Sequence, residues 1–517
     1  MTDASRAELI RQYVGAIARL GRMPIHGQTV RSRMTVGGVD FWAASTLRES
    51  SPWTSNLFDR LDSLRSATET CLHRPEGASR ITSVATRFRS LAYLAFAVVT
   101  SLRNRRESIS GDVLFVVFMP ASGKPVSDRE LLARYFGGLP DHLRSTGLRP
   151  AVLFLPTDSL PSTMSRAERR TWRSMRRELS SMTTTSHLTW SVVRRAARTW
   201  IRMRKQAPRI SEIVSDCAKD ADLARLSTLI RPDLEDSIFG TASVRVAMLA
   251  EMFRSAIQSS RGVRAVVYPF EGQGWESLLE AACRDYSIPT IAYLHTIMKP
   301  WDVRAHTALT EAIPQLVATH GQHDREELRY ALSKTVEVEA LRYEYLANLP
   351  EPKNRTNLPE VLLVVLGSDC QISSQQLGEL LLAFRRRRLS WQIRVKQHPQ
   401  CQLPPEAAGL TVETGSLGKA LESSSAVFLC GTAAPLDSYL FGIPTAAVNT
   451  GNEYSMNPLQ PDDLYHVGAS ADDALEWLVK ASQQHHRRPD AERFFDLSPG
   501  YQKWQRAINS VINQDSL

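Results

Sequence analysis

Short apolar runs of strand length recur along the chain, separated by stretches whose apolar residues return at helical spacing. GDVLFVVFMP (111–120) and PAVLFLP (150–156) are two such runs, each closed by a proline, with a helical pattern at about 128–145 between them. Strand, loop, helix and strand at this separation predict a βαβ unit, and hence a parallel sheet. The rhythm resumes with RAVVYP (264–269), IPTIAYL (288–294) and PQLVAT (314–319), read as later strands of the same sheet. Between about 161 and 260 the pattern is mostly helical, which makes that zone a helical, basic insertion in the first domain. A shorter strand-and-turn pattern, GVDFWAA (38–44), precedes all of these.

The stretch LPEPKNRTNLP (349–359) is rich in proline and polar residues and marks a boundary. Beyond it a second alternation begins, with strand patterns at 361–366, 391–395, 410–412, 426–430 and 445–448. Helical patterns at about 374–387, 417–424 and 435–441 separate them. The expected organisation is an N-terminal Rossmann-like domain over 1–350, a second one over 351–499, and a last helix in 500–517 that crosses back to the first. Two such domains would place a ligand cleft between the facing carboxyl ends of their strands. Many functions use that frame, so the site residues must carry the functional reading.

With 517 residues, 43% hydrophobic and 23% charged, the chain has the composition of a folded protein with room for two or three cores. Its charge is uneven. Residues 161–210 hold 13 Lys or Arg against two Glu, a local net of +11 beside +9 for the whole chain. Trp172, Trp190 and Trp200 are interleaved with those arginines, which suits an anionic membrane surface. A solvated arginine-rich face is the alternative. Nucleic acid would also match the charge, but no recognition motif accompanies it, and no nucleic-acid partner is expected.

The most apolar long run, SLAYLAFAVVTSL (90–102), falls short of the ~20 residues that span a bilayer. It is expected as a buried helix, with an interfacial helix as the alternative. The opening MTDASRAELIRQ has neither the basic start nor the apolar core of a signal peptide. Six scattered cysteines, without CxxC or zinc-ligand spacing, point to buried thiols in a reducing cytoplasm.

Three strand-end loops of the second alternation carry candidate chemistry. IRVKQHPQ (393–400) runs from a strand into Lys396, His398 and Pro399; positions i and i+2 of extended chain share a face, so both cations would reach one pocket. CGTAAPLD (430–437) reads as strand, turn and helix start. There the backbone around Gly431, Thr432 and Ala433, with the Thr432 hydroxyl, would bind an anion. Asp437 lies in the first helical turn, placed either for ribose hydroxyls or for the helix dipole. GSD (367–369) adds Gly367 and Ser368 as phosphate or sugar contacts.

In the first domain, YPFEGQGWE (268–276) follows a strand and opens a helix, with Glu271 at the strand end beside flexible Gly272 and Gly274, and Glu276, an acceptor-side candidate, one turn into the helix. His295 after the strand IAYL, and Arg304 in WDVR (301–304), could line an acceptor side, as could Trp42 in WAASTLRES (42–50), whose Glu49 is a second candidate carboxylate. No metal is expected. The one DxD, at 220–222, sits in helical sequence, and nothing near His320 and His323 completes a ligand set.

The order strand-KxHP, then strand-GT, an acid five residues on, and G-x-P resembles the donor half of GT-B glycosyltransferases. More narrowly it is similar to bacterial transferases of CMP-activated keto-sugars, the sialyl-, polysialyl- and Kdo transferases of surface polysaccharides. The resemblance implies an α/β, GT-B fold of two Rossmann-like domains facing a central cleft. It also implies that Lys396, His398, Pro399 and Thr432 hold the phosphate of CMP, and that Asp437 stands where a ribose-binding glutamate is common. Phe270-Glu271-Gly272 matches part of an acidic motif that supplies the general base. EGQGWE followed by LHTIMKPWDVR resembles bacterial surface-carbohydrate biosynthesis proteins along most of the chain.

The expected function is therefore transfer of a nonulosonic-acid or Kdo-type sugar from CMP to a glycan or lipid-linked acceptor. It would serve capsule or lipopolysaccharide O-antigen assembly on the cytoplasmic face of the membrane, with 161–210 as the peripheral anchor and no metal cofactor. A UDP- or GDP-sugar transferase, a CDP-alditol phosphotransferase and an inactive membrane-bound scaffold are the alternatives.

Overall fold

The computed structural model describes residues 15–50, 76–102, 106–119, 127–157, 164–220, 223–224, 231, 234–298, 313–328, 334–348, 360–367, 370–398, 402–430, 435–448, 459, 461–484, 486 and 489–513, without the side chains of 46–50, 76–87, 327, 348 and 435. Two compact units emerge, and each is described by itself. The N-terminal unit takes the described residues up to 296, those of 313–342 and those from 499 onward; the C-terminal unit takes Ile297, Met298 and those of 343–498. Among the described residues the chain passes between them after Thr296, Arg342 and Ser498, and the proline-rich stretch 349–359 lies outside the described residues.

In the N-terminal unit two short antiparallel ribbons, Pro24–Ile25 with Gln28–Thr29 and Thr35–Val36 with Val39–Asp40, lead into helix α1 (Phe41–Ser50). Helix α2 (Glu76–Ser101) follows. The sheet comprises β1 (Val113–Phe118), β2 (Pro150–Leu155), β3 (Ser180–Thr183), β4 (Ala265–Pro269), β5 (Thr290–Tyr293), β6 (Leu316–Thr319) and β7 (Lys334–Glu337). Its order is β7-β6-β5-β4-β1-β2-β3, with every neighbouring pair parallel. The chain builds outward from β1 to one edge, then returns past β1 to lay down β4 and the other side. The carboxyl ends of β1 and β4 therefore flank the switch point, where open α/β sheets bind ligands.

Strands β1, β2, β4, β5 and β6 are buried almost along their whole length, as expected of apolar runs covered on both faces. The other two, SSMT and KTVE, were not anticipated. They are the edge strands, paired on one side and partly exposed, so nothing in their burial demands an apolar run.

Strand β3 also corrects the reading of 161–260 as a single helical insertion. Helix α3 (Asp128–Phe136) and α4 (Leu139–Ser145) connect β1 to β2, split at Gly137 (φ 52°), where one continuous helix was expected. Helix α5 (Arg166–Ser174) is then the crossover from β2 to β3. The helical excess begins only after β3, with α6 (Trp190–Gln206) and α7 (Thr241–Ser259) ahead of β4, and α8 (Gly274–Asp285) joins β4 to β5.

A second correction concerns α2, expected to be buried. Ser90 and Ala97 face inward, but Phe88 is 72% exposed, Phe96 53% and Leu102 73%. An apolar run without periodicity does not say which face is covered, and only one face of α2 is. Among the described residues no helix is long and apolar enough to cross a membrane.

The C-terminal unit has six parallel strands: β8 (Val361–Leu366), β9 (Gln392–Lys396), β10 (Thr411–Val412), β11 (Ala426–Cys430), β12 (Thr445–Val448) and β13 (Tyr465–Gly468). Their order is β10-β9-β8-β11-β12-β13, the doubly wound arrangement with its switch point between β8 and β11. Helices α9 (Cys370–Arg387), α10 (Leu417–Glu422), α11 (Pro435–Leu440) and α12 (Ala471–Ser482) complete it, and α9 packs against α12 over the sheet. The α/β class with two Rossmann-like units is thus the observed one. Cys217, Cys283 and Cys430 are buried free thiols, whereas Cys370 is disulfide-bonded, so the expectation of thiols throughout does not hold.

The last helix, α13 (Gln502–Asn513), packs on the N-terminal sheet through Trp504, Ala507, Ile508 and Val511. Buried Glu339 caps it, accepting the backbone N–H groups of Lys503 (2.8 Å) and Trp504 (3.0 Å). The Trp504 indole donates back to the Glu339 carbonyl at 2.9 Å.

Candidate functional site

The loop after β4 is built by its own side chains. Glu276, 3% exposed in the first turn of α8, accepts the Glu271 N–H through Oε1 (2.9 Å) and the Gly272 N–H through Oε2 (3.1 Å). Gly272 has a left-handed φ of 73°, and a Cβ on Gly274 would lie 2.1 Å from the Ala44 carbonyl oxygen of α1. The Trp275 indole donates to Gln273 Oε1 (2.9 Å), and Gln273 Nε2 donates to Glu271 Oε2 (2.8 Å). Each polar residue of EGQGWE thus has a structural reason, and the chain of bonds ends on a half-buried carboxylate at the switch point.

Around Glu271 stand groups from helix α3 and from the end of β5. Burial, and then the negative charge of Glu271, holds the Tyr135 phenol proton well above the usual range, so Tyr135 is a neutral donor at any physiological pH. Its ring packs against His295, 9% exposed at the end of β5, with centroids 5.0 Å apart. A carboxylate beside a neutral phenol can accept a proton from one oxygen while another is given a hydrogen bond.

In the C-terminal unit the two strands of the switch point are tied together. Buried Ser373 of α9 accepts the Gly367 N–H (3.0 Å) after β8 and lies 3.4 Å from the Cys430 carbonyl at the end of β11. His398, half-buried two residues beyond β9, has its pKa lowered by burial and stands neutral at pH 7, one ring N–H being a donor. Lys396 donates its ammonium to the carbonyls of Glu413 (3.2 Å) and Gly415, just before the Ser416 cap of α10. Its charge therefore braces the β9–β10 edge. Asp437, in the first turn of α11, accepts from the Tyr345 hydroxyl, whose ring lies 3.9 Å from the position of a Cβ on Gly418.

The residues proposed from sequence divide accordingly. Glu271, Glu276 and His295 gather at the carboxyl end of the N-terminal sheet, with Glu276 positioning the loop from beneath. Trp42 is 1% exposed and packs against Gly21, so it belongs to the core and not to an acceptor surface. Gly367, Lys396, His398 and Asp437 gather at the carboxyl end of the C-terminal sheet. Arg304, Ser368, Pro399, Gly431, Thr432, Ala433 and the side chain of Glu49 lie outside the described residues.

Among the described residues no group of three or more His, Cys, Asp or Glu is placed to hold a metal. His320 is fully buried against the Tyr293 hydroxyl (3.2 Å), and Asp220 lies 3.9 Å from Arg19. Sequence reasoning missed Tyr135, Ser373 and Tyr345, which sit in helical patterns without a local signal. It passed over Gln273, although that residue stands inside the motif.

No protein-family description and no curated protein matches the chain. Among solved structures, UDP-GlcNAc 2-epimerase from Methanocaldococcus jannaschii aligns over 77% of this chain and 99% of its own, with 9% identity and a TM-score of 0.44. Acinetobacter baumannii MurG aligns over 78% and 99%, with 11% identity and a TM-score of 0.35. Anabaena Alr3699/HepE in complex with UDP aligns over 77% and 100%, with 12% identity and a TM-score of 0.39. At scores this low the likeness carries no chemistry, and the fold assignment rests on the two strand orders.

Proposed function

We propose that the chain is a glycosyltransferase that moves a nonulosonic-acid or Kdo-type sugar from CMP to a glycan or lipid-linked acceptor. It would work at the cytoplasmic face of a membrane in surface-polysaccharide assembly. The observation that supports transfer best is the Glu271 carboxylate, held at a switch point by Gln273 and, through its backbone, by Glu276. An acceptor hydroxyl ionises far above neutral pH, so a fixed carboxylate is needed to take its proton as the new bond forms. The departing nucleotide phosphate carries the opposite need. His398 would meet it with an N–H, alongside the backbone of the loop after β11. Binding of phosphate would raise the His398 pKa from its lowered value, drawing a proton onto the ring. Lys396, braced against Glu413 and Gly415, would supply longer-range positive potential and no direct contact. In this reading neither step requires a metal.

A UDP- or GDP-sugar would use the same strand ends, so the test compares nucleotides. Thermal unfolding is measured with CMP, UDP, GDP and CDP, followed by hydrolysis of the corresponding sugar nucleotides. CMP is expected to give the largest upward shift, because a ligand stabilises the state it binds. Equal shifts remove the CMP assignment, and no shift with any nucleotide removes the transferase reading.

A further inference from the structure

Helices α2 and α6 both pack against α7 and against each other. The contacts on α7's side are specific. The Trp200 indole donates to Ser243 Oγ (2.8 Å), with Val192, Val193, Ala196 and Met203 buried on the same face of α6. On α2, Ser90 Oγ donates to the Phe239 carbonyl (2.9 Å), just ahead of α7, and Ala97 is buried. Two helices laid side by side on a third keep their remaining faces on the side away from it.

Those outward faces are not alike. On α2, Phe88 (72% exposed), Leu91 (56%), Phe96 (53%), Val99 (55%) and, just past its end, Leu102 (73%) return at helical spacing and form one apolar stripe. It runs roughly 21 Å at 1.5 Å per residue. Residues 88–102 contain no acid and a single cation, Arg89. On α6, Arg194, Arg198, Arg202 and Lys205 form an exposed row, joined by exposed Trp190 (51%) and Ile201 (46%), and the helix has no acidic residue. Arg195, paired with Glu251 at 2.7 Å, and Arg204, 4.8 Å over the Trp200 ring, are not part of that row.

We propose that the outward faces of α2 and α6 form one bilayer-docking surface, the α2 stripe entering the headgroup–acyl boundary while the α6 cations meet anionic headgroups. An apolar stripe beside an acid-free basic row, with a tryptophan among the cations, is the chemistry of an anionic lipid surface. A protein partner would have to bring its own acidic row in register. The helix lies on the membrane and does not cross it, because its other face is occupied by α7. Helix α5, equally rich in arginine, presents Arg166, Arg169, Arg170 and Arg173 around an open concavity with no exposed large apolar side chain, and is not part of the surface. The inference deepens the membrane half of the function proposed above and rests on it only there; it is independent of the transfer chemistry.

The test is co-sedimentation of the full chain with phosphatidylcholine vesicles, with and without phosphatidylglycerol, at low and high salt. Wild type is expected on the anionic vesicles, more weakly in salt. Phe88→Asp with Phe96→Asp should reduce partitioning on the order of a hundredfold. Alanine at Arg194, Arg198 and Arg202 should cost about fivefold per residue. Alanine at Arg166, Arg169, Arg170 and Arg173 should leave binding within about threefold of wild type.

Unchanged binding of the Phe88/Phe96 variant, or its loss in the α5 variant alone, overturns the surface. So does a wild-type dimer that the Phe88/Phe96 variant converts to monomers without any vesicle binding, since a second copy then covers the stripe. The CMP-induced thermal shift is recorded for each variant. It reports that the fold is intact, and its failure in wild type would count against the transferase reading while leaving the vesicle result to stand.

Discussion

Glu276 holds Glu271 from beneath: its Oε1 accepts the Glu271 N–H at 2.9 Å, while its Oε2 takes the N–H of Gly272. Two glutamates five residues apart therefore have different work. One fixes the loop, and the other is presented by it.

Substitution should separate those roles. Glu271→Gln keeps the shape and the Gln273 contact but cannot take a proton, so turnover is expected to fall about 10²- to 10⁴-fold with little change in melting temperature. Glu276→Gln puts an amide NH₂ where two N–H groups need acceptors, and should lower stability by about 1–3 kcal/mol. Calorimetry and a sugar-transfer assay on both variants check this. Equal loss of stability in the two would mean that Glu271 is also structural.

The two glycines of the same loop should differ in kind. Gly274→Ala places a methyl on the Ala44 carbonyl, against backbone that cannot turn away, and is expected to cost about 1–3 kcal/mol or more. Gly272→Ala meets the left-handed backbone penalty of roughly 1–2 kcal/mol. Denaturant midpoints of the single variants decide the order.

At the second sheet, His398→Ala should weaken nucleotide binding or turnover at least tenfold while leaving the melting temperature within a degree or two, since the ring is half-buried. Lys396→Ala should do the reverse. It removes the ammonium that two carbonyls accept from and should cost about 1 kcal/mol of stability, with a modest effect on nucleotide affinity. Nucleotide titration by calorimetry, paired with thermal unfolding, reads both.

The pH dependence of stability has a named contributor in His187, fully buried between Ser255 Oγ (3.2 Å) and Met182 Sδ (3.0 Å). Burial, aided by the Arg106 charge, lowers its pKa from 6.5 to about 4. The unfolded chain then binds the extra proton in that window. Its contribution is complete above pH 6.5 and is lost as pH falls towards 4, on the order of 3 kcal/mol.

Glu280 acts in the opposite sense. Burial raises it to about 7, so its contribution to stability grows as pH falls from 7 to 4.5. His187→Phe should flatten the loss of stability between pH 6.5 and 4 relative to wild type, followed by urea unfolding at several pH values. An unchanged difference across that window would falsify the assignment.

Much of this fold could be read from the chain because the central strands of both sheets are buried on two faces. VLFVVF, PAVLFL, VLLVVL and AVFLC have to be apolar throughout, and sequence shows that directly. Three strands of the two large sheets escaped notice, SSMT, KTVE and YHVG, and all three are edges, where one side is open and polar residues are tolerated. The same logic governs the site. Residues that close or follow a strand, such as Lys396, Glu271, His295 and His398, are announced by that strand. Tyr135, Ser373 and Tyr345 arrive from helices, and which face of a helix meets a strand end is set by packing.

By itself the sequence determined the alternation of strands and helices, the carboxylate at the end of RAVVYP and the lysine and histidine at the end of IRV, because each is written in contiguous residues. Only the tertiary structure decided that Glu276 supports Glu271, that Lys396 is engaged by backbone carbonyls, and that the apolar run at 90–102 keeps one face in the open. Those outcomes depend on which groups from distant parts of the chain compete for the same hydrogen bond or the same buried face. That competition is settled by packing and by the requirement that buried polar groups find partners, neither of which is local in sequence.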